Sequence, residues 1–192
     1  MAEALPIIPY ADVLAAAEAV GLRCVYPNGA AFAPESDNWS IAGWITGPDP
    51  TLKPAAAERA ATVARDDLPS LLITAATREF DGATAWLAPV HHWAAELDHG
   101  ADAAGQTVAD VLAAAGANVD ALRGRRQADA LAVANAAALA HVVAGLLPLL
   151  WKSDFTVLFP GRRVTLTVHH HAQLWWRCAD ANLAQRLIGE AT

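Results

Sequence analysis

Charged side chains are scarce in this 192-residue chain: Asp, Glu, Lys and Arg make up 17% of it and hydrophobic residues 55%. Ordinary soluble domains carry about 25% charged residues, so this chain has ample apolar surface to bury, which excludes general disorder. Basic residues are the scarcer sign, 13 Lys and Arg against 20 Asp and Glu, leaving a net charge of −7. Nucleic acid and anionic membranes are bound through basic surfaces that displace counterions, so neither is an expected partner. The local exceptions are Arg123, Arg125 and Arg126, and Arg162 with Arg163 at a predicted turn, which could grip a carboxylate or phosphate.

Cysteine is nearly absent. Cys24 and Cys178 are the only two, too few for a disulfide framework, and the first residues show no basic segment leading into an apolar run. A reduced, cytoplasmic setting is the expectation. Several catalytic signatures are missing as well: no GxSxG elbow, no phosphate-binding GxxxxGK[ST], no GxGxxG, no CxxC and no HExxH. One stretch, Ala130 to Trp151, has the length of a bilayer span. Its alanines are nearly neutral for insertion, and Asn135, His141 and Pro148 oppose it. Leu131, Ala138, Val142, Leu146 and Leu149 instead follow a helical stripe. That predicts a central helix buried on most sides, with His141 as a hydrogen-bonded core residue.

The remaining pattern predicts a single α+β domain over 1–192, of mostly alanine-rich helices with antiparallel hairpins near 22–46 and 154–171. Pro9 to Val20 has helical spacing and ends at Gly21, where a C-terminal cap falls. Leu22 to Tyr26, the Pro27-Asn28-Gly29 turn and Ala30 to Ala33 predict a hairpin, followed by strand-like Asn38 to Thr46. Pro54 predicts a helix to about Arg65, and Asp67 with Pro69 another to Phe80. Ala83 to Pro89 reads as a strand and His91 to Asp98 as a helix. Thr107 to Asp110 resembles a capping box for a helix ending at Gly116. Phe155 to Phe159 and Val164 to Val168 flank Pro160-Gly161-Arg162-Arg163 as a second hairpin, and Cys178 to Ile188 predicts a last helix.

Against these absences stand seven histidines and seven tryptophans. All histidines but His141 fall in two groups, His91-His92 with His99, and His169-His170-His171. If the second strand of the later hairpin runs through the triplet, His169 and His171 point the same way, about 6.5–7 Å apart at Cα, and His170 faces the opposite side. On a helix, His92, Glu96 and His99 share one face. These five residues form the candidate ligand set for a divalent transition metal, Zn, Fe or Mn, which would polarise a bound water or substrate oxygen. The alternative is a solvated sheet face beside threonines. Trp175, Trp176 and Trp93 adjoin the two groups and form a candidate ligand or partner surface.

Two functions follow from these features. One is a non-enzymatic interaction or small-ligand-binding domain, with a protein partner or self-association through exposed tryptophan. The other is a metal-dependent enzyme or metal-binding protein centred on His169 and His171.

Overall fold

The structure is a computed structural model describing residues 4–36, 38–47, 59–98, 101–102, 104–150 and 154–189. Its strands are β1 (Ile7–Ile8), β2 (Leu22–Cys24), β3 (Phe32–Pro34), β4 (Ser40–Ile45), β5 (Arg59–Thr62), β6 (Ala85–Pro89), β7 (Ala130–Val133), β8 (Phe155–Leu158), β9 (Val164–His169) and β10 (Gln173–Cys178). Its helices are α1 (Tyr10–Glu18), α2 (Leu68–Phe80), α3 (Trp93–Leu97), α4 (Val108–Ala114), α5 (Val119–Arg123), α6 (Ala136–Leu146) and α7 (Ala181–Ile188). Among the described residues, eight strands form one mixed sheet in the order β1-β7-β6-β8-β9-β10-β4-β5. All its neighbours are antiparallel except β4 and β5, which are parallel. The protein is therefore α+β, with a sheet much larger than the two predicted hairpins.

Strand alternation sends residues to two differently covered faces. Leu87, Leu131, Val133, Phe155, Val157, Leu166, Val168, Leu174 and Trp176 point into a core shared with α2, α4, α6 and α7. There Phe80 stacks on Phe159 at 4.3 Å, with the Trp176 ring 5.9 Å from Phe80. The other face carries Ala88, Ala130 and Leu158, covered by α1 and the β2–β3 hairpin through Tyr10, Val13, Ala17, Leu22 and Phe32. Asp129, just before β7, ties the two layers together. Its Oδ1 accepts the Tyr10 backbone N–H at 2.8 Å, in the first turn of α1, and its carbonyl accepts Trp93 Nε1–H at 2.6 Å. Arg125 pairs with the same carboxylate at 3.2 Å, which gives that arginine a structural role.

Local signals explain the elements that match expectation. Thr107 and Asp110 close a reciprocal capping box on α4. The β2–β3 hairpin turns through Asn28 at a positive φ of 63°. Three segments depart from the reading of the sequence. The predicted helix from Pro54 to Arg65 lies partly outside the described residues, and its described part is strand β5 followed by irregular Val63 and Ala64 and the start of a 3-10 turn at Arg65. Its alanines pair with the edge of β4, so ladder hydrogen bonds override helix propensity. The expected central helix from Ala130 splits into β7 and α6, because Asn135 accepts the Ala138 N–H at 3.0 Å as an N-cap and so starts the helix there. His141 is then exposed on α6 rather than buried in the core. Trp175, Trp176 and Cys178 lie in β10, and the last helix starts only after Asp180, its N-cap. Among the described residues no helix is long and apolar enough to cross a membrane.

Both thiols are free, and the sheet lies between them. Cys178 is fully buried, and burial pushes its thiol up from 9.0 to about 12. An unfolded chain releases this proton near pH 9 while the folded one keeps it. Stability from Cys178 is therefore intact below pH 9 and is lost as pH rises toward 12, by at most about 1.4 kcal/mol per pH unit. Between pH 9 and 11, Cys178→Ala should show a flatter fall in urea midpoint than wild type, from a lower starting point. Parallel slopes would contradict this assignment.

Candidate metal centre

The register of β8 and β9 pairs Phe155 with Val168, so the next pair outward is Asp154 with His169. Phe155 and Val168 point into the helix-side core, so alternation sends Asp154 and His169 together to the opposite face. β9 ends at His169, and the chain reverses into β10 through His170, His171 and Ala172, with His169 paired to Gln173. Ala172 has a positive φ of 54°, a conformation that usually falls to glycine or asparagine at the end of a three-residue hairpin loop. This turn curls His170 back over Asp154. Both its backbone N–H, at 2.9 Å, and its ring Nδ1, at 2.8 Å, meet Asp154 Oδ1.

His169 Nε2 lies 3.8 Å from the other carboxylate oxygen, Oδ2. One ligand atom each from Asp154, His169 and His170 therefore falls within 4.8 Å of the others, the group of this kind found among the described residues. The three rings of the triplet crowd together, with His169 4.3 Å from His170 and 5.2 Å from His171. Burial holds the His169 imidazole below its ordinary 6.5. The Asp154 charge pulls the other way, and the two neighbouring imidazoles reinforce burial. His169 is thus held as the neutral imidazole, the form that ligates metals.

The other sequence candidates sit elsewhere. His171 is exposed, and its backbone N–H donates to His169 Nδ1 at 3.2 Å. His92 is the N-cap of α3, its ring nitrogen accepting the Ala95 N–H at 3.3 Å. Glu96 is buried within α3, which packs into the helix-side core, across the sheet from Asp154 and His169. His92 and Glu96 are not among the gathered ligand atoms, and His99 lies outside the described residues. Trp93, Trp175 and Trp176 are all buried, at 0%, 2% and 0% exposure, so none offers a surface. Trp175 and Trp176 occupy opposite faces of a sheet that is covered on both.

Asp154 and His170 are the members that sequence reasoning missed. Asp154 stands where a turn residue is expected, just before a strand, and the triplet contains no glycine to announce the reversal. The available signal was the distance from the Pro160-Gly161 turn, which sets Asp154 level with His169. No protein-family model, curated protein or solved structure matches the chain.

Proposed function

We propose that this protein binds a divalent transition metal through Asp154, His169 and His170. The observation that carries the reading is the convergence of two imidazole nitrogens and one carboxylate within 4.8 Å at the end of the β8–β9 hairpin. Two histidines and a carboxylate are the donor set of mononuclear iron sites with open positions, and three protein ligands are common around catalytic zinc. Ligation through His169 Nε2 moves the ring proton to Nδ1 and gives up the 3.2 Å bond from His171. That loss is about 1 kcal/mol, small beside the roughly 10–16 kcal/mol of structural zinc binding.

Such an ion would serve as a Lewis acid toward a bound water or substrate oxygen. The chain's own groups would hold it, and exposed His171, its ring 4.3 Å from His170, is placed to accept a proton beside it. The reading of an interaction domain has less support, since the tryptophans that would carry it are buried. Metal content of untagged protein, purified without chelator or nickel resin, should be near one equivalent of zinc, iron or manganese per chain. Metal-free protein whose melting temperature does not move on adding these ions would overturn the proposal.

A further inference from the structure

Arg162 and Arg163 lie just beyond the other end of β9 from His169, a strand that spans about 17 Å at 3.4 Å per residue. They belong to a wider gathering. Arg59, Arg78 and Arg186 line a cleft of ≈ 500 Å³, and Arg162, Arg163 and Arg186 line a second of ≈ 410 Å³. The two clefts meet at Arg186. Five of the chain's eleven arginines thus line these two clefts in a protein whose net charge is −7.

Ordinary structural roles account for two of them. Arg78 and Arg186 share Glu79, which Arg186 grips through both carboxylate oxygens at 3.1–3.2 Å, and Arg78 also donates to the Arg186 carbonyl in the last turn of α7. These contacts offset the negative ends of α2 and α7. Arg59, Arg162 and Arg163 have no carboxylate within 4.0 Å among the described residues. Two of these three are nevertheless held in place. Arg162 lies over the Phe80 ring and Arg163 over the Trp39 ring, each 5.7 Å from the centroid. Stacking orients a guanidinium and leaves its N–H edge for a ligand. Among the described residues the clefts contain two acidic side chains, Glu79 and Asp180, and Asp180 is engaged as the N-cap of α7.

We propose that these joined clefts bind a small diphosphate-bearing anion, between the C-terminal ends of α2 and α7 and the β8–β9 turn. Among the described lining residues guanidiniums outnumber carboxylates, and two linked phosphates carry about three to four negative charges. Forked N–H donors match phosphate oxygens in pairs. The site is separate from the proposed metal centre, so either can fail without the other.

The test is calorimetric titration of metal-free protein with inorganic pyrophosphate at fixed ionic strength, with ADP and sulfate as comparisons. One saturable site is expected, about tenfold or more tighter for pyrophosphate than for sulfate. Arg59→Gln with Arg162→Gln should weaken it about tenfold or more, one lost charge-assisted contact being of that order. Arg123→Gln with Arg126→Gln, at a different surface, should leave it unchanged, and near-UV circular dichroism should confirm that both variants are folded. ADP binding tighter than pyrophosphate would assign the diphosphate to a larger organic molecule, and weaker binding would assign it to the free ion. No saturable binding, or equal weakening in the two double variants, would overturn the proposal.

Discussion

Gly43→Ala should be among the most destabilising single-methyl changes in the protein. A Cβ at this position would sit 2.2 Å from the Leu174 carbonyl oxygen, 2.6 Å from Trp175 Cε3 and 3.1 Å from Trp175 Cα. Two of these atoms are backbone, so no side-chain rotation relieves the contact. Gly43 pairs with Trp175 across β4 and β10, and that join holds β4 and β5 to the rest of the sheet. Overpacking a rigid core costs about 1–3 kcal/mol, and spreading a strand pair adds lost ladder bonds to it. Against a total of roughly 5–15 kcal/mol, the expected result is a large drop in urea midpoint or insoluble protein. Gly47→Ala is the matched control, since among the described residues its Cβ would meet nothing within 4 Å, and it should change stability by less than about 0.5 kcal/mol. Equal midpoints for the two variants would mean that β4 and β10 do not approach as described.

The second large effect concerns the metal ligands. Dividing about 10–16 kcal/mol over three or four ligands assigns several kcal/mol to each, so His170→Ala and Asp154→Ala should each weaken zinc binding about a hundredfold or more. His169→Ala should do the same. His171→Ala should remain within about threefold of wild type, because His171 lies outside the group that gathers around Asp154. This ordering separates the present site from a strand pair made of His169 and His171. Competition with a chromophoric chelator measures it, and thermal melts of the metal-free variants show whether the hairpin survives. Loss of binding in His171→Ala with retention in His170→Ala would reverse the assignment.

The contrast between His170 and His171 shows where a local pattern stops being informative. Thr165, Thr167 and His169 alternate as the sequence suggests, because successive strand residues point to opposite faces of the sheet. Nothing among His170, His171 and Ala172 marks a reversal, since the left-handed residue is an alanine and not a glycine. The turn is imposed by the pairing of β10 with β9, which is a tertiary event. The same cause misleads at β5 and β7. Ala60 and Ala61, like Ala130 and Ala132, have high helix propensity, yet strand neighbours recruit them. Where side chains act on their own backbone, the reading holds: the capping box at Thr107, the turn at Asn28 and the proline-glycine turn before Arg162 all fall in place. The candidate site lies between these regimes. His169 was legible from its strand, whereas Asp154 and His170 meet it only through hairpin register and the turn beyond.

Imidazole nitrogen spectra of the 15N-labelled protein during zinc titration test the central claim most directly. The account predicts that His170 Nδ1 and His169 Nε2 move to metal-bound positions, complete at one equivalent, while His91, His92 and His141 stay unchanged. Spectra that do not respond, or that respond at His92 instead, would contradict it.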